Sequence, residues 1–270
     1  MKPQVLFDGR HLRAVLLPGV KDRLIVTLDY RLIGRAEFTA DTHSSTFARG
    51  GFAQLSIKTR TNDWFINPDT AELEQALARV GEGYRHVGML GYSMGGYGAL
   101  RFARALQAKT AVLVSPQFSI NPDVVPFEER YPIEGLRFDP LRGDLSRSPA
   151  PALRGLIVID PFVRPDLCHA RLIRQHFPGL ALARLSFGGH PAIRVIRGAG
   201  KLWTIHREAS SLLPERRLLC QEHRAARREA AGYWRRLAAW AANRRPEVAL
   251  HAARMAASLP VSRGDATDEG

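Results

Sequence analysis

Residues 91–95 read Gly-Tyr-Ser-Met-Gly, and what flanks them narrows the fold more than any other feature of the chain. The apolar run His86–Leu90 comes immediately before, and Gly96-Tyr97-Gly98-Ala99-Leu100 immediately after. A G-x-S-x-G pentad alone is a weak signal. Between a buried strand and the start of a helix, it describes a sharp strand-to-helix turn with a serine hydroxyl exposed at its tip. Gly91 and Gly95 lack the side chains that would collide across so tight a turn. Gly96 and Gly98 let the following helix lie close to a sheet. The Met94 amide, at the helix start, points to where an oxyanion would form.

The rest of the chain up to about residue 200 supplies the sheet. Gln4–Leu6 and Leu12–Leu17 read as a hairpin turned at Asp8-Gly9. Compact apolar runs at Leu24–Leu28, Phe52–Ile57, His86–Leu90, Thr110–Val114, Leu156–Ile159 and Leu180–Leu185 read as buried strands. Helical spacing at Thr70–Val80, Gly95–Leu106 and Asp166–His176, and a helix opening at Pro191–Val195, alternates with them. Strands alternating with helices predict a mostly parallel, doubly wound sheet. The stretch 116–151 breaks the rhythm with seven prolines and few periodic apolar residues, and reads as an insertion that is either a lid over a site or a surface loop.

Beyond Leu202 strands cease. Pro214–Ala230, Tyr233–Asn243 and Pro246–Leu259 are Ala-, Leu- and Arg-rich at helical spacing. The expected domains are 1–206, a helical appendage over 207–262, and a disordered tail over 263–270. The segment Tyr233–Pro260 resembles a single tetratricopeptide-type helical hairpin.

Composition fits a soluble globular chain of 270 residues, with 45% hydrophobic and 24% charged residues. No apolar run approaches the roughly 18 residues a membrane-spanning helix needs. Cys168 and Cys220 lie far apart and read as reduced thiols. Met1–Arg10 lacks a signal-peptide pattern, and together these predict a cytoplasmic protein. The net charge of +13 is carried mostly by arginine and is densest beyond residue 200. It reads as a solvated helical face, or as a surface in 207–262 for an acidic protein or a membrane. No zinc-ligand pattern or aromatic RNA-binding signature accompanies it, so no specific nucleic-acid binding is expected.

A nucleophilic serine needs a base, and the base needs an orienting carboxylate. Both are expected on loops after later strands. Among the histidines after Ser93, only His190 directly follows a strand, through Ser186-Phe187-Gly188-Gly189. His169 and His176 fall inside a predicted helix, and His206, His223 and His251 in the helical C-terminal region. Asp160, at the end of Leu156–Ile159, is the favoured acid. Asp166, six residues on, is the alternative or a helix cap.

Residues 91–100, the strand ending in Ser115-Pro116-Gln117, and then Asp160 and His190 together resemble the α/β-hydrolase superfamily over residues 1–200. Asn62-Asp63-Trp64-Phe65, Ser115-Pro116-Gln117-Phe118-Ser119-Ile120 and Pro126-Phe127-Glu128 resemble most closely bacterial hydrolase-like proteins related to accessory Sec-system and surface-glycan loci. The resemblance implies an α/β-hydrolase fold, a triad of Ser93, His190 and Asp160, and no cofactor or metal; the C-terminal helical appendage lies outside it. One departure stands out. Many esterases of the superfamily carry a His-Gly pair after the strand that precedes the elbow unit, where it supplies the second oxyanion donor. Here Leu24–Leu28 runs into Asp29-Tyr30-Arg31. A main-chain N–H near Tyr30 can serve instead, with the tyrosine narrowing the substrate range.

Loops at the carboxyl ends of strands line the crevice of such a sheet, which places Arg60, Asn62, Trp64 and Gln117 near the serine. Trp64 reads either as a ligand contact or as a core anchor under its loop. These residues suit a polar acyl substrate, a small molecule or a glycan. The expected function is a serine hydrolase of the esterase or deacetylase type. The competing expectations are an acyltransferase on the same site, or a binding protein that keeps the fold with little catalysis.

Overall fold

The computed structural model describes residues 2–260. The tail expected over 263–270 lies outside the described residues. Eight strands form one sheet: β1 Gln4–Asp8, β2 Leu12–Leu17, β3 Arg23–Leu28, β4 Ala53–Thr59, β5 His86–Tyr92, β6 Thr110–Val114, β7 Arg154–Ile159 and β8 Leu180–Arg184. Their order is β1-β2-β4-β3-β5-β6-β7-β8. β1 pairs antiparallel with β2, and β2 with β4; from β4 to β8 every pairing is parallel. The central parallel strands β3, β5, β6 and β7 are largely apolar on both faces because helices cover both, whereas β4 turns Gln54, Ser56 and Lys58 to one side.

Period-two alternation divides β3, β5, β6, β7 and β8 between two cores. Leu24 and Val26 of β3, Met89 of β5 and Ile157 of β7 meet Leu73 and Leu77 of α2 (Thr70–Glu82), Leu100 and Phe102 of α3 (Met94–Phe102), and Ile173 of α5 (Arg164–His176). Ile25, Leu90, Val112 and Val158 point the other way. They pack under Phe47 of α1 (Ser45–Arg49), Ile196 of α6 (Arg194–Gly198), Ile205 of α7 (Trp203–Ala209) and Leu219 of α8 (Arg216–Ala226). α1 has no apolar period to announce it. It is held by one buried side chain, Phe47, and by Ser44, whose hydroxyl accepts from the Phe47 amide at its N-terminus.

The 116–151 insertion is poor in regular structure. It has α4 (Pro132–Arg137) and a 3-10 turn at Leu145–Arg147. It is nevertheless anchored. Phe118, Ile120, Tyr131, Phe138 and Leu145 are buried in the first core, and the Tyr97 hydroxyl donates to the Gly143 carbonyl at 2.7 Å. Sparse anchors without a period leave no helical or strand pattern in the sequence, which is why it reads there as a loop.

The C-terminal helices share the sheet's core. α8 brings Leu219 under β8. α9 (Ala231–Ala241) and α10 (Pro246–Ser258) pair with each other, and Tyr233 of α9 packs on Phe187 and Val195. Two polar contacts tie this region to the loop after β8. His223 Nε2 donates to the Ser186 carbonyl at 2.9 Å, and Arg236 Nε donates to the Phe187 carbonyl at 2.8 Å. Trp240 closes over Phe187 and Phe162, which are themselves stacked at 4.1 Å. The region expected as an appendage thus grips the segment that leads to His190.

Burial, with smaller repulsion from Arg227 and Arg236, pushes the His223 imidazole down to about 4, against the upward pull of its bond to Ser186. The native state therefore refuses a proton that the unfolded chain accepts between about pH 6.5 and 4. Stability contributed by neutral His223 is lost as pH falls through that window, by up to about 3 kcal/mol. In urea titrations at pH 7 and pH 4.5, His223→Gln is expected to narrow the difference in stability between the two. An unchanged difference would show that His223 does not couple protonation to unfolding.

Candidate active site

Ser93 occupies the turn between β5 and α3 with φ 49° and ψ −118°. For a residue with a Cβ this backbone is strained by about 1–3 kcal/mol, and the turn persists because its surroundings over-determine it. A Cβ on Gly91 would lie 2.3 Å from the Gly95 carbonyl oxygen, and one on Gly95 would lie 2.8 Å from the carbonyl oxygens of Leu28 and Asp29. The elbow is thereby pressed against the end of β3. The Ser93 amide donates to the Val114 carbonyl at 2.8 Å. Four further non-glycine residues at strand ends share a positive φ: Trp64 and Phe65 after β4, Ser115 after β6 and Phe187 after β8. Most of this strain lies at the rim that carries Ser93, with Gln107, before β6, at the other end of the sheet.

His190 reaches back from the loop after β8. Its Nε2 lies 3.0 Å from Ser93 Oγ, and its Nδ1 lies 3.0 and 2.9 Å from the two carboxylate oxygens of Asp166. Nδ1 donates to the carboxylate, which leaves Nε2 free to accept the serine proton. Asp166 sits in the first turn of α5 and is wholly buried. Burial alone would raise its carboxyl. His190, Arg130 and a hydrogen bond from Ser115 outweigh that and hold it below the usual carboxylate range.

Asp160, the favoured acid from sequence, does not meet His190. Its carboxylate accepts from the amides of Phe162 in its own loop at 3.0 Å and of Gly189 in the histidine loop at 2.9 Å. Burial raises its carboxyl, and those amides only partly offset it. Asp160 shapes the base of the histidine loop, and the next helix turn carries the carboxylate that faces the imidazole. The helix start that made Asp166 look like a cap is what aims it: α5 begins at Arg164, and Asp166 points inward from its first turn.

Behind Asp166 lies a polar chain drawn from the insertion. Arg130 donates to Asp166 Oδ1 at 2.8 Å and grips both oxygens of Glu128. Glu128 accepts from His169 Nε2 at 2.9 Å, and His169 Nδ1 accepts from the Phe118 amide at 3.1 Å. The amide donor fixes the His169 tautomer. Burial lowers its imidazole, which stays neutral. Glu128 is held at about 2, its burial outweighed by Arg130 and His169. Two buried carboxylates around one guanidinium leave a negative surplus, which favours positive charge arriving on the imidazole. No spacing in the sequence links Arg130 to Asp166. Glu128 stands out there only through the Pro126-Phe127-Glu128 resemblance.

No family model matches the chain, and no curated protein does. Solved structures do. The capsule O-acetyltransferase of Neisseria meningitidis serogroup A, as a variant in complex with CoA, is 16% identical with a TM-score of 0.51, over 72% of this chain and 92% of that one. A double mutant of the esterase E40 is 16% identical with a TM-score of 0.51, over 83% of each chain. At such identity the likeness is one of fold. The chain has the α/β-hydrolase fold. Nothing in these comparisons extends to the accessory Sec-system and surface-glycan proteins.

Within this α/β-hydrolase fold the remaining expected residues fall into two groups. Gln117 comes to the nucleophile: its Nε2 donates to Ser93 Oγ at 3.1 Å, while its Oε1 accepts from Trp64 Nε1 at 3.1 Å. Trp64 is fully buried and is the core anchor of its two readings. Its ring lies 4.8 Å from that of Tyr131. Asn62 is committed to the loop after β3, accepting from the Leu32 amide and donating to the Leu32 carbonyl. Arg60 lies over the Phe38 ring. The Tyr30 side chain is half exposed, and its carbonyl accepts from Arg35. Met94 is buried at the start of α3. One residue at the nucleophile has no forerunner in the sequence reading. The Tyr131 hydroxyl lies 3.5 Å from Ser93 Oγ and 3.4 Å from His190 Nε2.

Among the described residues, no helix is long and apolar enough to cross a membrane.

Proposed function

We propose that this chain is a serine hydrolase of the esterase or deacetylase type, acting on an acyl ester of a polar small molecule or glycan. The observation that carries the reading is the unbroken run from Ser93 Oγ through His190 to the buried, ionised Asp166. Ser93 attacks the acyl carbon as His190 Nε2 takes its proton. The imidazolium is stabilised by Asp166. The oxyanion is received by the Met94 amide and by a main-chain N–H at Tyr30, because the elbow is pressed against the end of β3 there. The tetrahedral adduct collapses as His190 gives its proton to the leaving oxygen. Water, activated by the same imidazole, then releases the acid.

An alcohol in place of that water makes the site an acyltransferase, and one protein of the same fold is a capsule O-acetyltransferase. A non-catalytic binding role gives no reason for a strained serine within hydrogen-bond reach of a base oriented by a buried carboxylate.

Turnover of a set of acetyl esters, from p-nitrophenyl acetate to an O-acetylated sugar, tests the reading. Wild type is expected to hydrolyse them, with Ser93→Ala lower by at least about 10³-fold. Equal rates in the two proteins would overturn it.

A further inference from the structure

Ser93 Oγ is surrounded by three partners, and the triad accounts for only one of them. The hydroxyl donates to His190 Nε2 at 3.0 Å and accepts from Gln117 Nε2 at 3.1 Å, and the Tyr131 hydroxyl stands 3.5 Å away. The phenol is also 3.4 Å from His190 Nε2, so it lies beside the line along which the proton travels. In the tetrahedral adduct, the leaving oxygen is bonded to the same carbon as Oγ and within hydrogen-bond reach of Nε2. A hydroxyl already about equidistant from both atoms can reach that oxygen directly.

The tyrosine is fixed in place. Its ring packs on Trp64 and has the guanidinium groups of Arg31 and Arg130 over it, at 5.6 and 5.4 Å. Arg31 is itself held by Glu134 of α4 at 2.8 Å. Burial raises the phenol above its ordinary value, more than Arg130 and the Ser93 contact lower it, so it remains a neutral donor at working pH.

Resting on the serine-hydrolase reading, we infer that Tyr131 is a further catalytic residue whose hydroxyl hydrogen-bonds the alcohol oxygen leaving the tetrahedral adduct, suiting the site to esters of alkyl and sugar alcohols. The bond between the acyl carbon and the alcohol oxygen breaks, and its electron pair stays on that oxygen. The proton comes from His190 Nε2. Tyr131 keeps its own proton, so the step balances without a further reactant. The contribution grows with the basicity of the leaving oxygen, and a nitrophenolate or a fluoride has little need of it.

Tyr131→Phe separates this role from packing because it removes only the hydroxyl. The expected result is a loss in kcat/KM of at least about tenfold on an O-acetylated sugar or alkyl acetate. On p-nitrophenyl acetate, and in the rate of labelling by a fluorophosphonate probe, the change should stay within about threefold. Equal losses on both esters would mean a structural role and overturn the inference, as would no loss on either. A wild type that turns over the nitrophenyl ester alone would also overturn it. A wild type that neither labels nor turns over any ester would instead overturn the hydrolase reading beneath it.

Discussion

Asp166→Asn is expected to lower kcat by about 10⁴-fold, while Asp160→Asn stays within about tenfold of wild type. The two carboxylates are six residues apart, and both are buried near the histidine loop. They differ in what they face. Asp166 accepts the Nδ1 proton of His190 with both oxygens. An asparagine amide there presents a donor as well as an acceptor, and it favours the tautomer whose Nε2 carries the proton. That imidazole cannot take a proton from Ser93. Asp160 accepts main-chain N–H groups, and its carboxyl is already raised by burial. Asparagine keeps an acceptor oxygen for them. Steady-state kinetics on p-nitrophenyl acetate, with thermal melts to confirm folding, decides between the two. A large loss for Asp160→Asn with little for Asp166→Asn would reverse the assignment.

Residues that announce themselves locally were legible in the sequence. The elbow is one, because a glycine-rich turn between an apolar run and a helix start has few other uses. His190 is another, as the one histidine directly after a strand. The sheet follows from its apolar runs, since parallel strands covered on both faces need them. What sequence reading missed depends on aim or on distant contacts. Asp160 and Asp166 both follow β7, and only the pitch of α5 determines which of them faces the imidazole. Arg130, Glu128 and Tyr131 lie in a proline-rich stretch without a period, so nothing along the chain marks them as neighbours of Ser93. Trp64 and Gln117, expected to line the pocket, bond to each other, and of the two it is the Gln117 amide that reaches the serine. The C-terminal helices were visible as helices. Their grip on the 186–189 loop through His223, Arg236 and Trp240 could not be read from composition.

The site also explains why a proline-rich insertion is held so firmly. Its Arg130 lies between two fully buried carboxylates, Asp166 and Glu128. Charges buried in this way are tolerated when each is paired and hydrogen-bonded. The same clasp that pairs them fixes Asp166 against His190 and carries Tyr131 to the nucleophile. The contacts that anchor the insertion are thus also contacts of the site.

The central claim is that Ser93 is a nucleophile activated by His190. The direct measurement is the second-order rate of labelling by a fluorophosphonate probe, with the adduct placed by peptide mass spectrometry, in wild type, Ser93→Ala and His190→Ala. The probe phosphorus is attacked by the serine oxygen only when a base removes its proton, so the rate reports the activated pair and needs no knowledge of the substrate. Removing the serine or the histidine of such a triad lowers kcat by roughly 10⁶-fold, and labelling should fall below detection in both variants. The account predicts prompt modification of wild type at Ser93 alone, lost in both variants. Folded wild type that does not label, or that labels with Ser93 replaced, would contradict it.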